Sequence, residues 1–312
     1  MVDYRLATYK TRGGPRAGLI IEDRLFDAAE ALDDARFVTM PGALAQHSRL
    51  AKAVAKWMKQ PATARRGGKA LSGVTLLAPV LAPAAIFCAG ANYVDHVAEM
   101  ASVLGIPPEP DPHEVGLKPW HFIKTMGTLV GPNADVALPA FSKMVDWEAE
   151  LVAVIGTPAR NVSIENALDH VAGYTIANDL SARDHVSRPQ VAPQSPFKYD
   201  WVSQKSWEGS CPLGPWIVPA AAIGDPQNLA IGLYVNGKKK QDSHTSKMIF
   251  SAAEQIAQLS SRITLQPGDL ILTGTPAGVG MAWKQFLKPG DEVVVEIEKI
   301  GRLVTRMTPG AA

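Results

Sequence analysis

The sequence predicts an α+β chain, mainly β, with a small α+β module over residues 1–75 and a larger β-rich domain over 76–312. Residues 1–75 alternate strand-like pieces with helical ones. From 76 onward short apolar segments recur, punctuated by Gly and Pro, and helical periodicity is sparse, chiefly SIENALDHVAG and SAAEQIAQLSSRI.

Taken in order, YRLATYK and AGLIIEDRLFDA read as strands, and AAEALDDA and ALAQHSRLAKAVAKWMKQ as helices. PATARRGGKALSG, rich in Gly and basic residues, reads as a linker or surface turn. VTLLAPV, AIFCAGA, DVALPA, ELVAVIG, GYTIAND, LAIGLYVNGK, DLILTGTPAGVG and DEVVVEIEKIG follow as strands. Asn236-Gly237 marks a hairpin turn, and the lysines at 238–240 read as its solvated end.

The composition is that of an ordinary globular protein, 46% hydrophobic and 20% charged with a formal charge of +1. Balanced charge gives no broad case for nucleic acid or an anionic membrane. MVDYRLATYK carries no charged-then-apolar signal, and no apolar run is long enough to span a bilayer. The expectation is a soluble cytoplasmic protein, with Cys88 and Cys211 reduced.

The chemistry concentrates in DWEAELVAVIG, residues 146–156, which reads as a strand with Asp146, Glu148 and Glu150 on one face. Carboxylates held a strand repeat apart either face water freely or share a cation, and oxygen ligands suit Mg²⁺, Ca²⁺ or Mn²⁺ better than zinc. GYTIANDLSARD, 173–184, ends an apolar strand in Asn178-Asp179. Asp179 is either a third oxygen ligand or an Asx-turn or helix cap, and Arg183 and Asp184 read as a supporting pair.

CAGANYVDHVAEM, 88–100, leaves a strand through Gly90 and enters a helix on which His96 and Glu99 share a face. Such a pair can form a general base or an ordinary surface contact. The Pro-rich stretch that follows reads as a lid, over about 93–118 with the helix. Lys205 precedes the Pro-Gly-rich run SWEGSCPLGP and could meet an anionic substrate or an enolate, or simply be a surface lysine. LQPGDLILTGTPAGVG ends in a Gly/Thr loop, including Gly274, able to offer backbone N–H groups and the Thr275 hydroxyl to a carboxylate. It lacks the Gly-Lys-Ser/Thr ending of a P-loop, and the chain has no Gly-x-Ser-x-Gly elbow, His-Glu-x-x-His helix or Cys-x-x-Cys.

Together and in this order, GANYVDHVAEM, the GP of LVGPNADVALP, DWEAELVAVIG, GYTIANDLSARD, QKSWEGSCPLGP, VNGKKKQDSHTSKMIFS and PGDLILTGTPAGVG resemble the fumarylacetoacetate hydrolase family over about 85–300. The resemblance implies a mixed β-roll catalytic domain behind a small N-terminal domain, usually in a homodimer. It implies Glu148, Glu150 and Asp179 as ligands of Mg²⁺ or Mn²⁺, with Ca²⁺ able to replace them in crystals. His96 and Glu99 match the lid dyad, Lys205 the active-site lysine and Thr275 the substrate-carboxylate contact, with Gly274 and Arg183 as further substrate-binding candidates. Asp146 has no matching role and is expected behind the ligands or at the rim.

Two positions depart from the enzyme that names the family. Asn92-Tyr93 stands where that enzyme has an additional Asp ligand, as in the acylpyruvase and oxaloacetate decarboxylase branch, and Val186 replaces a substrate-contacting Gln. The implied reaction is metal-dependent hydrolysis of the carbon–carbon bond of a 2,4-dioxo acid of acylpyruvate or fumarylpyruvate type, as in aromatic catabolism. The alternatives are decarboxylation, tautomerisation or isomerisation of a 2-oxo or 2-hydroxy-dienoic acid, or metal binding without catalysis.

Overall fold

A computed structural model of the chain describes residues 4–61, 65, 67–107 and 109–310. Strand outweighs helix, and the sheets do not close into a barrel. The expected linker at 61–73 and the expected lid lie partly outside the described residues.

The strands form one large sheet, one smaller one and a two-stranded ribbon. The large sheet runs in the order Lys69–Ala70, Arg24–Asp27, Gly14–Ile21, Arg5–Thr11, Cys211–Pro219, Val171–Asn178, Ala149–Ile155, Leu270–Leu272, Ile86–Ala89 and His121–Lys124. The N-terminal strands therefore continue the ladder of the later ones, joined where Leu6 faces Ile217. The smaller sheet orders Lys238–His244, Ala230–Val235, Glu292–Ile297, Gly301–Thr308 and Ala134–Ala137.

Ala149–Ile155 is buried along its whole length, and the two-residue period of a strand sorts its side chains into two cores. Leu151, Ala153 and Ile155 pack with Ile176, Val293, Val295 and Leu303, on the side of the smaller sheet. Val152 and Val154 pack with Leu19, Ile217, Leu270 and Leu272, together with Leu50, Val54 and Trp57 of the helix His47–Met58. A strand covered on both faces reads as a continuous apolar run, which is why ELVAVIG shows no alternation.

Several local expectations change. ALAQHSRLAKAVAKWMKQ forms two helices, Met40–Ala45 and His47–Met58, meeting at Gln46. VTLLAPV forms no ladder strand; its link to the sheet is the bridge between Tyr9 and Leu76, and its Pro79 cannot donate to a ladder. The hairpin is as expected, with Asn236 and Gly237 both at positive φ (50° and 73°), the backbone a tight type I′ turn requires.

Candidate metal and acid–base site

The strand expected through Asp146, Glu148 and Glu150 is broken, and the break builds the site. Val145–Asp146 pairs with Ser181–Ala182 in its own ribbon, and the large sheet resumes only at Ala149. Between them, side chains replace the ladder: Glu148 N donates to Asn178 Oδ1 (3.0 Å) and Ala149 N to Gln241 Oε1 (2.9 Å). Asp179, just past the strand Val171–Asn178, donates its N–H to the Glu148 carbonyl (2.9 Å). These bonds set Glu148, Glu150 and Asp179 so that one carboxylate oxygen of each lies within 4.8 Å of the others, all three residues buried.

Cationic side chains converge on two of the three. Lys205 Nζ donates to Glu148 Oε2 and Asp179 Oδ2, both at 2.7 Å. Lys124 Nζ donates to Asp179 Oδ1 (2.6 Å) and the Leu180 carbonyl (3.3 Å), and Arg183 donates to Glu148 Oε1 (2.6 Å). Glu150 receives the Gly274 N–H at Oε2 (2.6 Å) and, among the described residues, no bond from a cationic side chain. Burial would raise the Glu148 carboxyl, but the Lys205 and Arg183 charges outweigh it and hold it down at about 2. Burial and the neighbouring Asp179 and Glu148 charges push Glu150 well above the ordinary range. Lys205 is raised, the two carboxylates overcoming the burial that opposes its charge.

This donor set fits a divalent ion of the hard class. Three buried carboxylates supply only oxygen, and Glu150 is held beside two like charges without a bonded cation of its own. Glu148, Glu150 and Asp179 are the residues that would hold such an ion.

Around the triad the expected residues are only partly disposed as foreseen. His96 and Glu99 share the helix Val94–Leu104 but form no hydrogen bond with each other. His96 Nδ1 is buried without a partner, and burial lowers its pKa to about 4, the Glu148 charge opposing only in part. Glu99 instead accepts the Gly278 N–H (2.9 Å), and burial raises its carboxyl. Arg183 does not pair with Asp184: its Nε donates to Asp146 (2.8 Å), while Asp184 accepts from Ser142 Oγ and Lys143 N. The Gly274 N–H is committed to Glu150, whereas Thr275 is buried with its hydroxyl accepting from Gln241 Nε2 (2.9 Å).

Asp146 lies wholly behind the ligands and not at the rim, being fully buried. It accepts from Trp147 N, Gly280 N, Met281 N and Arg183 Nε at 2.6–3.0 Å, so it ties the ligand strand to the loop carrying Thr275. Sequence reasoning missed Lys124, Gln241 and the structural part of Asn92. The Asn92 amide donates to the Thr273 and Phe250 carbonyls and accepts the Phe250 N–H, holding the same loop. The one available signal for Lys124 was a lysine closing the apolar-aromatic run HFIK.

Known proteins resemble the chain in both sequence and fold. The chain is 42% identical over 238 residues to the human oxaloacetate tautomerase FAHD2B, mitochondrial, covering 76% of this chain and 70% of that one. Among solved structures, maleylpyruvate hydrolase from Sphingobium sp. SYK-6 in complex with manganese(II) and pyruvate superposes with a TM-score of 0.75 at 28% identity, covering 98% of this chain and 100% of that one. The 2-hydroxyhepta-2,4-diene-1,7-dioate isomerase of Mycobacterium marinum gives a TM-score of 0.72 at 30% identity, covering 99% and 100%. Residues 85–308 match the fumarylacetoacetate (FAA) hydrolase C-terminal family, and with more than half of its length matched the chain belongs to the fumarylacetoacetate hydrolase family.

Proposed function

We propose that the chain is a divalent-metal-dependent enzyme that interconverts the keto and enol forms of a small 2-oxo acid of oxaloacetate type. Mg²⁺ or Mn²⁺ is the proposed ion. The observation that carries the reading is the buried triad of Glu148, Glu150 and Asp179 beside an imidazole whose Nδ1 has no partner. Similarity to an oxaloacetate tautomerase supports this reaction ahead of the carbon–carbon hydrolysis expected from the sequence. Glu99 is bonded to Gly278, and the proton transfer proposed here for His96 does not draw on it.

An ion held by the triad would supply Lewis-acid polarisation to the 2-oxo acid head. The remaining work falls to the chain. His96, kept neutral by burial, takes the proton from C3 of the keto form at Nδ1 and delivers it to the 2-oxygen, which completes the enol and returns the imidazole to its neutral form. Lys205 keeps a fixed positive charge where negative charge grows on that oxygen. The Thr275 hydroxyl, held by Gln241, is the proposed contact for the substrate carboxylate.

Hydrolysis to a carboxylic acid and pyruvate is the second reading, favoured by the likeness to a maleylpyruvate hydrolase. One assay separates them: oxaloacetate enol absorbance and, in parallel, pyruvate and acid release from an acylpyruvate, each with Mg²⁺ or Mn²⁺. Faster ketonisation without acid release is expected, and His96→Ala should slow it by about 10²- to 10⁴-fold while Mn²⁺ still binds by calorimetry. Acid release with no effect on ketonisation would reverse the order of the two readings.

A further inference from the structure

Beside Trp147 the fold gathers a basic cleft of about 450 Å³ whose lining includes none of the triad residues. Five lysines line it, Lys143, Lys238, Lys240, Lys284 and Lys288, from three separate stretches of the chain. One carboxylate, Asp291, shares the lining, and it is already held by Asn236 Nδ2 (2.8 Å) and Lys288 N (2.7 Å). Among the described residues none of the five lysines is in an ion pair, whereas Lys239, between two of them in sequence, takes Asp242 (3.1 Å). A chain with 31 basic and 30 acidic residues has no general excess of positive charge to explain this.

The floor differs from a solvated surface. Trp147 is buried there, and the Lys240 ammonium lies 5.9 Å from its ring centroid while donating to Gln285 Oε1 (2.7 Å). Trp147 Nε1 donates to the Gly278 carbonyl (3.0 Å), on the residue whose N–H meets Glu99. Like charges crowded in a cleft focus their field on its interior, and the apolar lining of Val235, Phe286 and Leu287 accepts a carbon skeleton between them.

We propose that this cleft binds a small multivalent anion, bearing carboxylates or phosphate, at a site separate from the triad. The lysines supply charge-assisted bonds from several directions, and Lys240 shifts from the Trp147 ring toward the ligand. The site requires nothing of the reaction assigned to the triad.

The test is calorimetry and Trp emission on the full chain with tricarballylate and with inorganic phosphate, at about 0.15 M salt to screen diffuse attraction. Both probes are weak chelators compared with citrate, which keeps the triad's ion out of the readout. Saturable one-to-one binding with a change in emission is expected for at least one probe. Tricarballylate alone would assign carboxylate ligands, and phosphate alone phosphorylated ones. The triple variant Lys238→Ala, Lys284→Ala, Lys288→Ala should bind about tenfold or more weakly with ketonisation unchanged, and Trp147→Phe should lose the emission change. Absence of saturable binding by either probe, or equal affinity in the triple variant, overturns the proposal.

Discussion

At the residue scale, the site depends on side chains that stand in for backbone. Asp146 is the sharpest case, since one buried carboxylate meets three N–H groups and a guanidinium. Removing it leaves those donors without their acceptor, and breaking a buried ion pair costs about 3–5 kcal/mol. Asp146→Ala should therefore lower the urea midpoint by a corresponding amount, and a loss under about 1 kcal/mol would show that water replaces the carboxylate. The grouping of Glu148, Glu150 and Asp179 was legible because the segments that carry them stand, with the others, in the order of the family they resemble. Lys124 and Gln241 were not, because each is a lone polar residue whose partner lies 55 or 92 positions away. Beyond the apolar-aromatic run HFIK that Lys124 closes, nothing local distinguishes such a residue from one on the surface. The same holds for Glu99, whose helical spacing to His96 is right but whose partner is a loop amide.

At the element scale, patterning told strands from helices where one cause dominated. Ala252–Arg262 carries a stripe of buried residues, Ala252, Gln255, Ile256 and Leu259, at helical spacing. Its start is fixed by a capping box: Ser251 Oγ accepts the Glu254 N–H, and the Glu254 side chain accepts the Ser251 N–H. Ser251→Ala should cost about 1 kcal/mol, read as a drop in thermal midpoint. No drop would mean that packing alone fixes the helix start. Glu254 also meets His113 Nε2 (2.9 Å), so this cap anchors the segment expected as a lid. The expectation failed at VTLLAPV and at Trp147–Glu148, where an apolar or alternating pattern survives although ladder bonds are replaced. A period of two records which way side chains point, and it does not record what the backbone N–H groups bond to.

At the scale of the whole molecule, the mainly β architecture and the two-sided burial of Ala149–Ile155 were readable from apolar runs and Gly/Pro punctuation. The joining of the N-terminal strands to the later ones was not, because Leu6 meets Ile217 across most of the chain. Acid stability is a property of this scale too. His121 is held by burial at about 4, with its Nε2 unpaired. An unfolded histidine titrates near 6.5, so between the two values the unfolded chain binds the extra proton. The folded state thus keeps its full margin above about 6.5 and loses part of it as the pH falls toward 4. His121→Gln should lessen the slope of urea stability over that window, His96 with its similarly lowered value carrying a further part, and an unchanged slope would assign it to other groups. The shared ladder carries a hazard of a different kind. One end of Cys211–Pro219 is covered by Leu129–Val130, and its other end, at Ile217, is covered by Leu6 of Arg5–Thr11. Proteolytic clipping ahead of residue 76 would uncover the apolar edge around Ile217, able to template other chains. Such a trimmed protein should precipitate during refolding, monitored by light scattering, and the intact N-terminal segment thereby acts as an intramolecular guard against aggregation.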